Sequence, residues 1–168
     1  MIKMNLFDIP DVSAEKLQST VEGAVNGLKL YNLLKTSIEL GIFDILTKKT
    51  TCEQLSKKLE IEPLLTHYIL KILTEIGLTE KVGDAYINTS VSELYLNSSS
   101  EYSRINCILS LEEDLTLWNN LNNTLKGKIS KKDEVFFPRI VQVMAEDCLS
   151  GELQETVKLI GSYTEFKD

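Results

Sequence analysis

The sequence predicts a mainly α-helical fold, a winged helix-turn-helix with a small β-hairpin wing plus additional long helices. Two observations carry this prediction. Thr51–Ile76 alternates capping signals with apolar residues at helical spacing, which is typical of two helices joined by a turn. Leu78–Asn88 then places two short strand-like runs on either side of Gly83-Asp84, a two-residue hairpin signal. This order of elements serves both DNA-binding proteins and protein-interaction modules, so the fold by itself assigns no function.

Capping residues mark both helices of the predicted unit. Thr51 and Gln54 have capping-box spacing, and Glu62-Pro63 puts a proline in the first turn of the second helix, where its missing N–H costs nothing. Gly77 is the residue expected just past that helix. The apolar residues of the second helix recur at helical spacing, and we expect this stripe to face the core: Leu65, Ile69, Ile72, Leu73 and Ile76.

Length, charge and cysteine content limit the class of protein. The 168 residues suffice for one domain or slightly more, and the formal net charge of −7 argues against a general phosphate-binding role. The three cysteines are scattered and lack CxxC spacing, as expected of free thiols in a reducing compartment. No run approaches the roughly 18 apolar residues of a membrane span, so we expect a cytoplasmic protein with no membrane partner.

The N-terminal region is expected to contain a flexible arm and two helical segments. Residues 1–12 form the arm, Ser13 caps a helix to about Glu22, and a longer segment runs from Gly23 to Leu40. This segment has two apolar stripes, and the second stripe has little to bury against within one small domain. GxxxG spacing would allow close helix approach, although two glycines that loosen the helix start explain it equally well. The predicted homodimer-interface residues are Gly23, Gly27, Leu28 and Tyr31.

The C-terminal part of the chain predicts further helices. A short helix is expected over residues 89–96, and 3–4 spacing of apolar residues predicts a long one from Tyr102 to Leu125. Pro138 is expected to open another helix, Gly151 to break it, and a last helix to precede Gly161.

Several segments, taken together, resemble a known family. They are ELGIFDIL at 39–46, YILKIL at 68–73, IGL at 76–78, YINT at 86–89, LYL at 94–96 and WNNLNNTLKG at 118–127. In this order they resemble the N-terminal dimerisation domain of SAM-dependent small-molecule O-methyltransferases of the caffeate, hydroxyindole and polyketide-tailoring class. The similarity covers about residues 20–165. Tyr68 and Lys71 stand where the family has arginines, at positions without a chemical role in the family.

The resemblance implies a domain organisation and an activity. Residues 13–100 would be the winged-helix dimerisation domain, and residues 101–168 a helical extension leading to a SAM-binding domain missing from this chain. It implies a homodimer, S-adenosylmethionine as cofactor of the full-length protein, and methylation of a hydroxyl on a small aromatic acceptor. In the family the general base belongs to the other domain, so this chain by itself is expected to be inactive. Helices after the wing would form one wall of the acceptor pocket, with the candidates Leu115, Trp118, Phe137 and Met144.

No catalytic, cofactor-binding or metal-binding residue is predicted within the chain. Its eight glycines include no G-x-G pair, so the Gly-rich turn of a dinucleotide or SAM site is missing. His67 lies on a predicted helix and fits a surface or interface position better than a catalytic one. The carboxylate run Glu112-Glu113-Asp114 fits a solvated helix face better than a metal site.

Two alternatives stay open at this level. A winged helix-turn-helix is also the fold of DNA-binding transcription regulators, which need Arg, Lys, Asn or Gln on the exposed face of the second helix. That segment offers Lys71 and His67, whereas Leu64 and Tyr68 fit a protein interface better, so we expect no nucleic-acid partner. The chain is expected to be a fragment that ends before the first SAM-binding strand, with a natural stand-alone module as the alternative.

Overall fold

The computed structural model has a mainly α-helical fold with one small antiparallel sheet, as predicted. It describes residues 12–128 and 136–163. None of the described helices combines the length and the apolar content needed to cross a membrane. In chain order the elements are α1 (Glu15–Glu39), α2 (Ile42–Ile45), β1 (Thr50–Thr51), α3 (Cys52–Leu59), α4 (Pro63–Glu75), β2 (Thr79–Val82), β3 (Ala85–Asn88), α5 (Ser90–Tyr95), α6 (Ile105–Asn119), α7 (Leu121–Leu125), α8 (Phe136–Asp147) and α9 (Leu153–Tyr163).

The chain divides into two compact units, Met1–Leu34 and Lys35–Asp168. The described part of the first unit belongs mostly to α1, where the Glu15 N–H donates to Ser13 Oγ at 3.2 Å. Because α1 is continuous to Glu39, the prediction of two separate segments that meet at Gly23 is wrong. A glycine inside a helix costs about 1 kcal/mol relative to alanine, which weakens a helix without ending it when good helix formers flank it. The predicted arm lies almost entirely outside the described residues.

The winged unit follows the predicted capping signals closely. Thr51 and Gln54 form a reciprocal capping box at the start of α3, with hydrogen bonds of 3.2 and 2.9 Å. Glu62 caps α4 by accepting the Leu65 N–H at 2.7 Å, and Pro63 occupies the first helical position. Gly77 ends the helical region with φ at +77°, a conformation that glycine adopts without strain.

The wing is a three-stranded sheet with strand order β1-β3-β2. β2 and β3 form the predicted hairpin, and the turn places Gly83 at φ +64°. β1 pairs antiparallel with β3 through Thr50 and Thr51 and was not predicted. A two-residue strand is too short to show the alternation of apolar and polar residues that identifies strands in a sequence.

The buried face of α4 differs from the predicted one. Thr66, Leu70 and Leu73 are buried, whereas Leu65, Ile72 and Ile76 of the predicted core stripe are exposed. α4 is apolar on two sides, and helical periodicity identifies an apolar stripe without telling which stripe meets the core. The assignment of Leu65, Ile72 and Ile76 to the core is therefore wrong.

The core of the described chain lies entirely within residues 37–96. Of the side chains that the structure describes, none before Ser37 or after Leu96 is buried. Inside this core the Asn88 amide donates to the Phe43 backbone oxygen at 2.7 Å and to Glu93 Oε2 at 2.9 Å. One buried amide thus joins α2, the end of β3 and α5. Its N–H groups are satisfied, while its Oδ1 is buried without a hydrogen-bond partner among the described residues.

The helical extension departs from its predicted boundaries. The predicted helix over Tyr102–Leu125 is two helices, α6 and α7, which separate at Asn120. α8 begins at Phe136 rather than at Pro138, and α9 continues past Gly161. Between α8 and α9 the chain forms a short π-helical segment, Cys148–Glu152, in which Gly151 has φ +131°. The predicted break at Gly151 is confirmed, because this conformation excludes a regular helix there.

Replacing Leu70 with Ala is expected to lower the free energy of unfolding by about 2–5 kcal/mol, because the fully buried side chain would leave a cavity. Leu64→Ala, on the exposed side of the same helix, is the matched control and should change stability by less than about 0.5 kcal/mol. Urea unfolding monitored by circular dichroism measures both. Equal losses in the two variants would contradict this assignment of the faces of α4.

Candidate functional site

The N-terminal part of α1 has an uncovered apolar face. Leu28 is 48% exposed and Val21 and Val25 are exposed as well, while Tyr31 is half-buried. A Cβ added at Gly23 or Gly27 would meet no atom within 4 Å. Packing within the chain therefore does not require glycine at either position, and these residues are available for contact with another molecule.

A second uncovered apolar face lies on α4. Leu65 is 60% exposed and Tyr68 53% exposed, and Ile72 and Ile76 continue the same stripe toward the end of the helix. The sequence identified Leu64 and Tyr68 as outward residues, and both are exposed. The ring of His67 contacts that of Tyr68 edge-on at 5.9 Å between centroids. This side of α4 offers a surface suited to apolar contact rather than to hydrogen bonding with base edges.

The N-terminus of α6 is capped from another helix. Glu146 of α8 accepts the Asn106 N–H at 3.2 Å and the Cys107 N–H at 2.8 Å, and its Oε1 also accepts the Asn106 amide group at 2.7 Å. The first N–H groups of a helix lack partners within the helix and carry partial positive charge, so a carboxylate there is favourable. Glu146 thereby fixes the end of α8 against the start of α6.

Arg104 adds an ion pair to this junction. Its guanidinium donates to Asp147 Oδ1 and contacts Cys107 Sγ at 3.5 Å. The contact with Cys107, together with the nearby Asp147 and Glu146 carboxylates, raises the pKa of Arg104 above its usual value. An arginine side chain is charged in proteins in any case, and these neighbours favour the charged form further. Residues so far apart in sequence could not be paired from sequence patterns, and this junction was not predicted.

The predicted wall residues lie on α6 and α8 with unequal exposure. Trp118 is 66% exposed and Met144 61% exposed, while Leu115 is half-buried. Phe137, the other predicted wall residue on α8, has a side chain that is not among those described. Met144 is two residues from Glu146, which contacts the start of α6. Trp118 lies about 17 Å along α6 from that contact. The structure thus places the two exposed side chains at different levels of the helix pair.

The described residues offer no arrangement that fits SAM. The three described strands pair antiparallel, so they do not form the parallel strand, Gly-rich turn and helix that bind such a cofactor. Within residues 12–128 and 136–163, no group of three or more metal-ligating side chains comes together. Partial burial and the Glu62 carboxylate raise the pKa of the Cys52 thiol, which disfavours the reactive thiolate.

Comparison with known families identifies the winged unit. Residues 23–98 match the family model of the O-methyltransferase dimerisation domain. These residues form an O-methyltransferase dimerisation domain. The matched range runs from within α1 to just past α5 and contains the whole buried core of the described chain. The proposed resemblance is therefore confirmed for this domain.

Similar proteins of known structure agree with the fold. The chain is 35% identical to an uncharacterized protein of Methanocaldococcus jannaschii, MJ0086, over 97% of this chain and 46% of that protein. An O-methyltransferase family protein from Burkholderia thailandensis has a TM-score of 0.64 at 18% identity, over 90% of this chain and 46% of the other. The structure of human N-acetylserotonin methyltransferase in complex with SAM also has a TM-score of 0.64 at 18% identity, over 88% of this chain and 48% of the other. The chain thus spans about half the length of these relatives.

The dimerisation domain carries both uncovered apolar faces that are described above, apart from the first turns of α1. The α6–α8 junction lies outside the matched residues. The family model and the two solved structures are of methyltransferases, and none of the reported matches supports a winged-helix transcription regulator.

Replacing Glu146 with Ala is expected to increase hydrogen exchange at the Asn106 and Cys107 amides about tenfold or more, because hydrogen bonds to charged groups contribute roughly 1.5–3 kcal/mol. Glu155→Ala, an exposed glutamate on α9, is the control and should leave those amides unchanged. Exchange resolved by NMR measures the effect. Unchanged protection in Glu146→Ala would show that this carboxylate does not fix the start of α6.

Proposed function

We propose that the full-length protein is a homodimeric SAM-dependent O-methyltransferase, in which this chain supplies the dimerisation domain and part of the substrate lid. The observation that carries the proposal is the match of residues 23–98 to the family model of the O-methyltransferase dimerisation domain. The relatives are about twice as long as this chain, which leaves room in them for a second domain. SAM would bind to that second domain, and no step of methyl transfer is assigned to residues described above.

The domain boundaries proposed for this chain follow from the same argument. Residues 1–12 would be an arm, residues 13–100 the dimerisation domain, and residues 101–168 the extension that leads to the SAM-binding domain. By itself the chain would be inactive. We propose a cytoplasmic location on the basis of the three cysteines, which are free thiols.

The extension would form one wall of the acceptor pocket. None of its described side chains is buried, although α8 and α9 carry large apolar residues such as Val141, Met144 and Val157. Apolar area of this extent is normally covered by a ligand or by another part of the protein. An acceptor with an aromatic ring would suit such a wall, because ring stacking adds to the burial of apolar area. The proposed wall residues are Leu115, Trp118, Phe137 and Met144.

Replacing Trp118 with Ala in the full-length enzyme should raise the KM for the acceptor about tenfold and leave the KM for SAM within about twofold, because the variant loses one aromatic contact of the wall. Leu125→Ala removes another highly exposed apolar side chain, on α7, and should change neither constant. Steady-state methyl-transfer kinetics with varied acceptor measure the effect. An unchanged acceptor KM in Trp118→Ala would remove this residue from the wall, and absence of methyl transfer in the wild type would contradict the proposed activity.

The homodimer would form through α1. Leu28→Glu and Tyr31→Glu are each expected to dissociate it and to leave the helical circular dichroism of the domain nearly unchanged, since a buried charge at an interface disfavours association. Asn26→Glu, on the opposite side of α1 from Leu28, is the matched control and should remain dimeric. Light scattering at micromolar concentration measures the mass. A monomeric wild type would contradict the proposal.

A further inference from the structure

Two exposed apolar stripes of the chain have no described cover. The α1 stripe consists of Leu17, Val21, Val25 and Leu28, and the α4 stripe consists of Leu65, Tyr68, Ile72 and Ile76. All eight side chains are between 40% and 68% exposed. Monomeric proteins seldom leave contiguous apolar surface of this kind open to water.

The two stripes have the same spacing when they are read in opposite directions. From Leu65 the α4 stripe advances by three, four and four residues, and from Leu28 the α1 stripe goes back by three, four and four. Two helices that pack antiparallel with such spacing bring one side chain from each helix into every layer. The layers are Leu65 with Leu28, Tyr68 with Val25, Ile72 with Val21, and Ile76 with Leu17.

Antiparallel alignments that are shifted by four residues match less well. A shift of one turn in one direction places Asn32 opposite Leu65 and Lys29 opposite Tyr68, which buries an amide and an ammonium group against apolar side chains. A shift of one turn in the other direction places Ser13 opposite Ile76. In the matched alignment, Lys29 of α1 would instead lie on the same flank as Glu62 of α4, within one turn of it. One register is therefore favoured by both the apolar spacing and the charges.

We propose that the α1 stripe of one copy packs antiparallel on the α4 stripe of a second copy, and that the exchange is reciprocal. This inference rests on the proposed homodimer and adds to it the receiving surface and the register. The occupant is a second copy because the matched dimerisation domain contains the whole α4 stripe and part of the α1 stripe. In a two-fold dimer each helix pair forms twice, so sixteen apolar side chains are covered.

The receiving surface is tested by Tyr68→Glu in the full-length protein. The dissociation constant of the homodimer should rise at least about a hundredfold, because a central aromatic side chain of an interface is replaced by a charge. Val91→Glu makes a similar change on α5, where the side chain is also about half exposed, and should leave the constant within about threefold. Sedimentation velocity over a range of concentrations measures both.

The register is tested by cross-linking. Cys148→Ser removes the exposed natural thiol, and Val21→Cys is then combined either with Ile72→Cys or with Leu65→Cys. In the proposed register the first pair shares a layer, whereas the second pair is separated by seven residues, about 10 Å along the helix. A short thiol-specific cross-linker should give a covalent dimer with the first pair and little with the second.

The outcomes separate this inference from the proposed function. If Leu28→Glu dissociates the dimer and Tyr68→Glu does not, the α4 surface is wrong and the proposed homodimer stands. Equal cross-linking of the two cysteine pairs, or a product of monomer mass from both, would also overturn the register. A wild-type protein that is monomeric at all concentrations would instead contradict the homodimer itself.

Discussion

The structure depends on the confinement of its buried apolar side chains to residues 37–96. Within this range α2, α3 and α4 close on the sheet, and Asn88 ties the end of β3 to both Phe43 and Glu93. The described parts of α1 before Ser37 and of α6 to α9 have no buried side chain of their own. Since helices in proteins gain most of their stability from packing of an apolar face, these elements need cover from beyond the core. The proposed dimer and the proposed acceptor wall would supply such cover.

The parts of the fold that could be predicted are those that local chemistry determines. The capping box of Thr51 and Gln54, the proline at the start of α4 and the positive φ of Gly77 all act through neighbours in sequence. What could not be predicted depends on contacts across the chain. β1 exists because β3 lies beside it, and the choice between the two apolar faces of α4 depends on where the core is. Periodicity supplies the stripe, while tertiary packing decides which stripe is buried.

The candidate site divides in the same way. Leu28 could be named from the sequence because it belongs to an apolar stripe, and Trp118 and Met144 because of the family resemblance; all three are exposed. The junction of Glu146 with the start of α6 could not, since it joins residues about 40 positions apart through one carboxylate. One feature of the sequence is consistent with this junction. α6 has no acidic residue in its own first turn, so its N-terminal N–H groups have no local carboxylate, and Glu146 supplies one from α8.

The outward face of α4 explains how one fold can serve association rather than DNA recognition. A winged helix-turn-helix presents its second helix at the surface, and the side chains on that helix decide what it meets. DNA recognition would place bidentate hydrogen-bonding groups there, together with positive charge to offset the phosphates. This chain places Leu65, Tyr68 and Ile72 there and carries a net charge of −7. Such a helix gains by excluding water against another apolar face rather than by hydrogen bonding in a groove of DNA.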